Sequence, residues 1–178
     1  ILQRNAMGQG FINAAPDSDG YIRRASLIIE HKGQFYPSLA LEAARLYTFE
    51  QQIELDTALL PGTGKHSITA LKFGAANRIM TDEFGRVLVR YRGPQKSFPY
   101  YSVADIMAGN IDAALLEGGI AFVGTSAVGL ADLRATSVGL QYPGVEVHAN
   151  ALEGILQPEQ SLRPPHKFQY AGNDNYHG

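Results

Sequence analysis

One segment near the end of the chain constrains the fold more than any other. From Val145 to Leu156, Val145, Ala149, Leu152 and Leu156 fall on one stripe of helical period, with Ala151 and Ile155 beside it. Glu146, Asn150 and Glu153 share the opposite face. An amphipathic helix of this kind must lay its stripe on a sheet or on another helix. The sequence supplies a second helix from Ser38 to Tyr47, where Leu39, Ala43 and Leu46 recur at i, i+4 and i+7 and Glu42 and Arg45 lie on the other face. Pro37 suits the first turn or its lead-in, where its missing N–H is not needed.

The sheet partners are short and punctuated. Asp17-Ser18-Asp19-Gly20 separates Gly10–Asn13 from Tyr21–Ile29, the pattern of a hairpin. His31-Lys32-Gly33 predicts a second turn that returns Gln34-Phe35-Tyr36 beside Ile28-Ile29. Gln51–Leu60 is ambiguous between helix and strand, Ile68–Phe73 reads as β, and a turn at Thr81–Gly85 leads into an alternating strand, Val87–Arg92. Ser102-Val103-Ala104-Asp105 marks the entry of a short helix and Gly109 its exit. Ile120–Gly124 is an unbroken apolar run, expected as a central strand covered on both faces. The elements together predict an α/β or α+β domain: a central mixed sheet with β-hairpins and about three flanking helices.

Composition narrows function by exclusion. Fifteen Lys and Arg against 17 Asp and Glu give a formal charge of −2, without the basic excess that a duplex nucleic-acid binder needs. The chain has no Cys, hence no disulfide framework, thiolate metal site or Cys nucleophile. Its longest apolar runs fall far short of the roughly 20 residues that span a bilayer. Both ends read as cut: the chain opens on Ile1, and the stretch after Arg163-Pro164-Pro165 lacks periodicity.

Several motifs resemble reactive sites and fall short of them. Pro61-Gly62-Thr63-Gly64-Lys65-His66-Ser67 lacks the first Gly and the final Ser or Thr of a phosphate loop, and reads as a glycine-rich turn. Asp17-Ser18-Asp19-Gly20 opens like a calcium loop but continues into Tyr21-Ile22-Arg23-Arg24, so its carboxylates read as turn chemistry. The five histidines show no metal-ligand spacing. Neither a metal nor a cofactor is expected.

Ser126, Asp132 and His148 follow hydrolase order, yet Val128 stands where a nucleophile elbow needs Gly, and the Ser126–Asp132 gap is short. A Ser-dependent hydrolase is the weakest reading; His148 reads as a packed histidine with one hydrogen bond. Asp132-Leu133-Arg134-Ala135-Thr136 is the best polar constellation, either an ion pair pinning a loop or a ligand contact beyond a central strand. Arg90, Arg92, Tyr100 and Tyr101 either hold an anionic or aromatic ligand or simply face solvent.

The blocks Phe122–Thr136 and Tyr142–Leu152, together with Asp17–Arg24, Tyr36–Ala40 and Val89–Pro94, resemble in order and spacing the second CHASE family, the cyclases/histidine kinases associated sensory extracellular domain. The resemblance covers residues 8–163. Family members are longer, and this stretch is similar to their C-terminal half. It implies that residues 1–165 form an extracytoplasmic sensory domain and residues 166–178 a linker or tail.

A bacterial membrane receptor is implied, dimeric, with flanking membrane helices and a cytoplasmic histidine kinase, Ser/Thr kinase or adenylate cyclase output. The domain itself is expected to be non-catalytic and to sense an unidentified small molecule or protein. Candidate ligand residues, drawn from the most recognisable blocks, are Thr125, Ser126, Asp132, Arg134, Thr136 and His148. The alternative is a protein-interaction or dimerisation ectodomain without a small ligand. An enclosed polar pocket favours sensing, and an apolar surface patch favours interaction.

Overall fold

The structure is a computed structural model describing residues 5–60, 62, 63, 66–74, 77–125 and 133–157. Its strands are β1 (Tyr21–Ile22), β2 (Arg24–Ser26), β3 (Ile28–His31), β4 (Gln34–Pro37), β5 (Ile53–Leu59), β6 (His66–Phe73), β7 (Asn77–Met80), β8 (Arg86–Leu88), β9 (Leu133–Thr136) and β10 (Gly139–Pro143). The helices are α1 (Leu39–Tyr47), α2 (Val103–Met107) and α3 (Gly144–Leu156), with a 3-10 turn at Ala113–Leu115. The class is mixed α+β, as expected. The strands divide among four small sheets rather than one: β1-β9-β10, β2-β8, β3-β4 and β5-β6-β7.

Local chemistry accounts for the elements that the sequence announces. Lys32 and Gly33 both take positive φ, the twist a two-residue hairpin turn requires, and β3 and β4 pair in register from His31↔Gln34 to Ile28↔Pro37. Ser38 caps α1, its Oγ accepting from the Leu41 N–H at 3.2 Å. In the Thr81–Gly85 turn, Asp82 Oδ1 accepts the N–H groups of Phe84 and Arg86 at 3.0 and 2.8 Å. α2 ends in a Schellman motif, with Gly109 N–H bonded to the Ile106 carbonyl and Asn110 N–H to Asp105. α1 ends the same way, but its left-handed residue is Phe49, with φ 58°.

Four expectations are corrected. Gly10–Asn13 does not pair with Tyr21–Ile29; Phe11 bridges Ser38 instead, while β1 runs parallel to β9 and buries Ile22. The Asp17–Gly20 turn does form, but Asp17 N–H closes it onto the Tyr21 carbonyl at 2.8 Å, and Pro16 has no N–H to offer a ladder. The Val87–Arg92 strand stops at Leu88. Ile120–Gly124 is not a central strand: it runs as coil, and Val123 is 84% exposed. The helices are where periodicity puts them, but their faces are not. α1 buries Ala40, Leu41 and Ala44, and α3 buries Glu146 and Asn150 among its apolar residues.

The main core sits between α1, α3 and the strands. Leu27, Leu41, Leu71, Phe73, Val87, Leu152 and Ile155 meet there, and the small residues Ala40 and Ala44 allow α1 to lie close on α3. Glu42 is buried against Arg45, which grips both carboxylate oxygens at 2.6 and 2.8 Å. A smaller cluster of Ile22, Tyr142 and Val147 joins the start of α3 to the β1-β9-β10 sheet.

Candidate functional site

A cavity of about 340 Å³ opens between the 98–124 segment and the first turns of α3. Val145, Glu146 and Ala149 of α3 form one wall, and Phe98, Tyr100 and Tyr101 another. α2, the 3-10 turn and the Ile120–Gly124 coil close the far side with apolar groups. The coil meets α3 at Gly124, where a Cβ would lie 2.7 Å from Val145 Cβ; only glycine allows that approach. Val123, 84% exposed, and Leu115, 61% exposed, line its open side.

The wall at Glu146 is built by hydrogen bonds. Glu146 is 2% exposed and accepts from Lys96 N–H and Ser97 N–H at 3.0 Å each and from Tyr100 Oη at 2.8 Å. One helical turn on, Asn150 Oδ1 accepts Arg92 N–H at 2.8 Å, while its Nδ2 donates to Tyr142 Oη at 2.9 Å and to the Glu146 carbonyl at 2.7 Å. Two buried polar side chains on α3 therefore staple residues 92–100 to the helix. This satisfies the rule that a buried polar group must find partners.

The tyrosines around this knot hold their protons tightly. Burial, then the Glu146 hydrogen bond and charge, raise the Tyr100 hydroxyl above its ordinary value. Burial pushes Tyr142 up to about 12, with the Asn150 hydrogen bond opposing and the Glu146 charge adding to the shift. Tyr91 is raised by burial and by Tyr142, whose ring it meets edge-on at 5.2 Å, and its hydroxyl donates to the Ile22 carbonyl at 2.9 Å.

The residues singled out from sequence do not converge on one point. Thr125 is exposed just past the cavity wall, and Ser126 and Asp132 lie outside the described residues. Arg134 is exposed on β9, which is itself the middle strand of its sheet. Thr136 is buried in turn duty, its Oγ1 donating to the Gly139 carbonyl at 3.1 Å and accepting Val138 N–H at 3.4 Å. His148 is half-buried, its ring 6.5 Å from Phe122.

Tyr100 and Tyr101 do line the cavity, whereas Arg92 pairs with Glu153 and lies 4.5 Å over the Phe98 ring. Arg90 is exposed. Asp17 and Asp19 are engaged by Arg23 and Arg24, and Thr63 N–H turns back to the Leu60 carbonyl. Glu146, the central residue of the site, carries no sequence signal beyond its place on α3.

The described residues thus form a mixed α+β domain with an open, aromatic-edged cavity against their last helix, a concave site of the kind in which small ligands bind. The CHASE2 domain model matches residues 2–172, and the chain belongs to that family. CHASE2 domains are sensory, non-catalytic extracellular domains of receptors. No curated protein and no solved structure matches the chain significantly. Among the described residues no helix is long and apolar enough to cross a membrane.

Proposed function

We propose that this chain is the recognition domain of a bacterial transmembrane receptor, with residues 1–165 as its sensory unit outside the cytoplasm and a kinase or cyclase output elsewhere in the protein. One observation carries the reading: α3, the last described helix, is itself a wall of the cavity through Val145, Glu146 and Ala149. An occupant that prefers one setting of the 98–124 segment acts on α3 directly, and α3 leads toward the C-terminal side where a membrane helix is expected. The shift obtained equals the occupant's difference in affinity between the two settings; a tenfold preference amounts to about 1.4 kcal/mol.

The test is made in the whole receptor. Ala149→Phe places a ring in the cavity and is expected to lock the output at one level, while deletion of residues 1–165 is expected to change the basal output. Output untouched by that deletion would overturn the sensory reading.

A second reading has its own observation. The cavity is open and its lining exposes Val103, Leu115 and Val123, the kind of apolar surface that marks contact with another protein. Under that reading Leu115→Glu with Val123→Glu abolishes self-association in analytical ultracentrifugation. Under the small-ligand reading the same pair leaves the association state as it was.

A further inference from the structure

We propose that the cavity takes a small organic cation, an ammonium group carrying an apolar body, seated between the Glu146 carboxylate and the rings of Tyr100 and Tyr101. The inference rests on the reading of this cavity as the recognition site and names the class of its ligand.

Three observations carry it. The first is charge. Glu146 is almost wholly buried and lines the cavity, yet the groups that meet it are backbone N–H groups and the phenols of Tyr100 and Tyr142, all neutral. Among the described residues no cationic side chain stands within ion-pair distance of it. Hydrogen bonds share a carboxylate's charge but do not neutralise it, and a buried charge without a counterion favours a cation brought from outside.

The second is the lining. No Lys, Arg or His stands among the cavity residues, which are aliphatic and aromatic apart from Glu146. Tyr100 and Tyr101 supply the electron-rich faces that attract ammonium groups. Arg92, the cation of the adjoining loop, is already taken by Glu153 and by the Phe98 ring, where it demonstrates the same cation-on-ring contact.

The third is the surrounding field. From Ser97 to Thr125 the sequence carries Asp105, Asp112 and Glu117 and no basic residue, so the segment lining the cavity draws cations and repels anions. Lys96, exposed at the loop's edge, is the nearest opposing charge in sequence. At about 340 Å³ the cavity lies at the small end of ligand sites, which suits an amine with a single ring or short chain.

The full chain is titrated by calorimetry with three probes of one shape: 2-phenylethylamine, 2-phenylethanol and 3-phenylpropanoate. The amine is expected to bind at least about tenfold tighter than the alcohol, and the anion not measurably. Glu146→Gln is expected to erase the preference for the amine. Because that change also loosens the 96–100 loop, Tyr101→Leu serves as the second variant: with melting unchanged, it is expected to weaken the amine several-fold and leave the alcohol as it was. Amine and alcohol binding within about twofold of each other, or tightest binding of the anion, overturns the cation assignment and leaves the cavity's role standing. If no probe binds at millimolar concentration the cation assignment also fails, and receptor output indifferent to Ala149→Phe then removes the role of the cavity as well.

Discussion

Asn150→Ala tests the staple between α3 and residues 92–100. Asn150 is 1% exposed and makes three hydrogen bonds, to Arg92 N–H, Tyr142 Oη and the Glu146 carbonyl. The carbonyl loses little, since it belongs to the helical ladder. Tyr142 is fully buried, so its hydroxyl is left without its donor, at a cost of about 1–2 kcal/mol; Arg92 N–H is partly wetted and loses about 1 kcal/mol. The vacated amide adds a small cavity term, for about 2–4 kcal/mol in all. In a chain of 178 residues this lowers the melting temperature by roughly 5–15 °C.

The assay is urea unfolding followed by far-UV circular dichroism and tyrosine fluorescence; the chain has nine Tyr and no Trp. Asn150→Asp separates hydrogen bonding from packing. It keeps the shape and the acceptor for Arg92 N–H, but loses the donor to Tyr142 and sets a second carboxylate one turn from Glu146. If the staple is a hydrogen-bond network, Asp is at least as damaging as Ala. A loss below about 0.5 kcal/mol for Ala, or a benign Asp, would refute the account.

Three further expectations follow from single positions. Phe49 is 91% exposed and sits in the left-handed position that ends α1, so Phe49→Gly removes backbone strain without losing burial and is expected to raise stability by about 0.5–1 kcal/mol in the same urea assay. Tyr142 keeps its proton up to about 12 when folded, against an ordinary value near 10. A folded-state value raised in this way gives stability that is complete below the unfolded value and lost as pH climbs from about 10 to about 12. Ultraviolet titration should therefore show Tyr142, with the similarly raised Tyr91, ionising late and together with loss of the near-UV dichroism. Gly124→Val forces the coil away from Val145 and is expected to speed amide exchange at residues 119–124, with α1 protection unchanged.

What the sequence revealed was set locally. The Lys32–Gly33 hairpin, the Asp82 turn and the Gly109 helix exit each announce a backbone conformation through the residue that adopts it most easily. The end of α1 is the counterexample: the same motif is built there with Phe49, and no residue marks it. Periodicity located α1 and α3 but misjudged which sides they bury, because Glu42, Glu146 and Asn150 are polar only to an eye that cannot see their partners. Arg92 and Lys96 lie 58 and 50 positions before the α3 residues they bond. Ile120–Gly124 has strand composition, but a strand also needs an edge to pair with, and no residue pattern names one. The candidate site was visible only as Tyr100 and Tyr101, without the carboxylate that joins them to α3.

That carboxylate divides the cavity into two mechanically different walls. Three of the bonds made by Glu146 and Asn150 go to backbone N–H groups at 92, 96 and 97, so that part of the attachment persists whatever side chains those positions carry and ties the loop to α3. The facing wall is held otherwise. α2 and the 3-10 turn contain no buried residue, and Tyr47 Oη reaches the Gly118 carbonyl there at 3.3 Å from α1. Few buried contacts and exposed backbone place 101–119 at the low-stability end of the fold. Under the proposed sensory function, closing the cavity on an occupant is work done by 101–119 moving toward the wall held to α3, and the reaction to that closure falls on Glu146 and through it on α3.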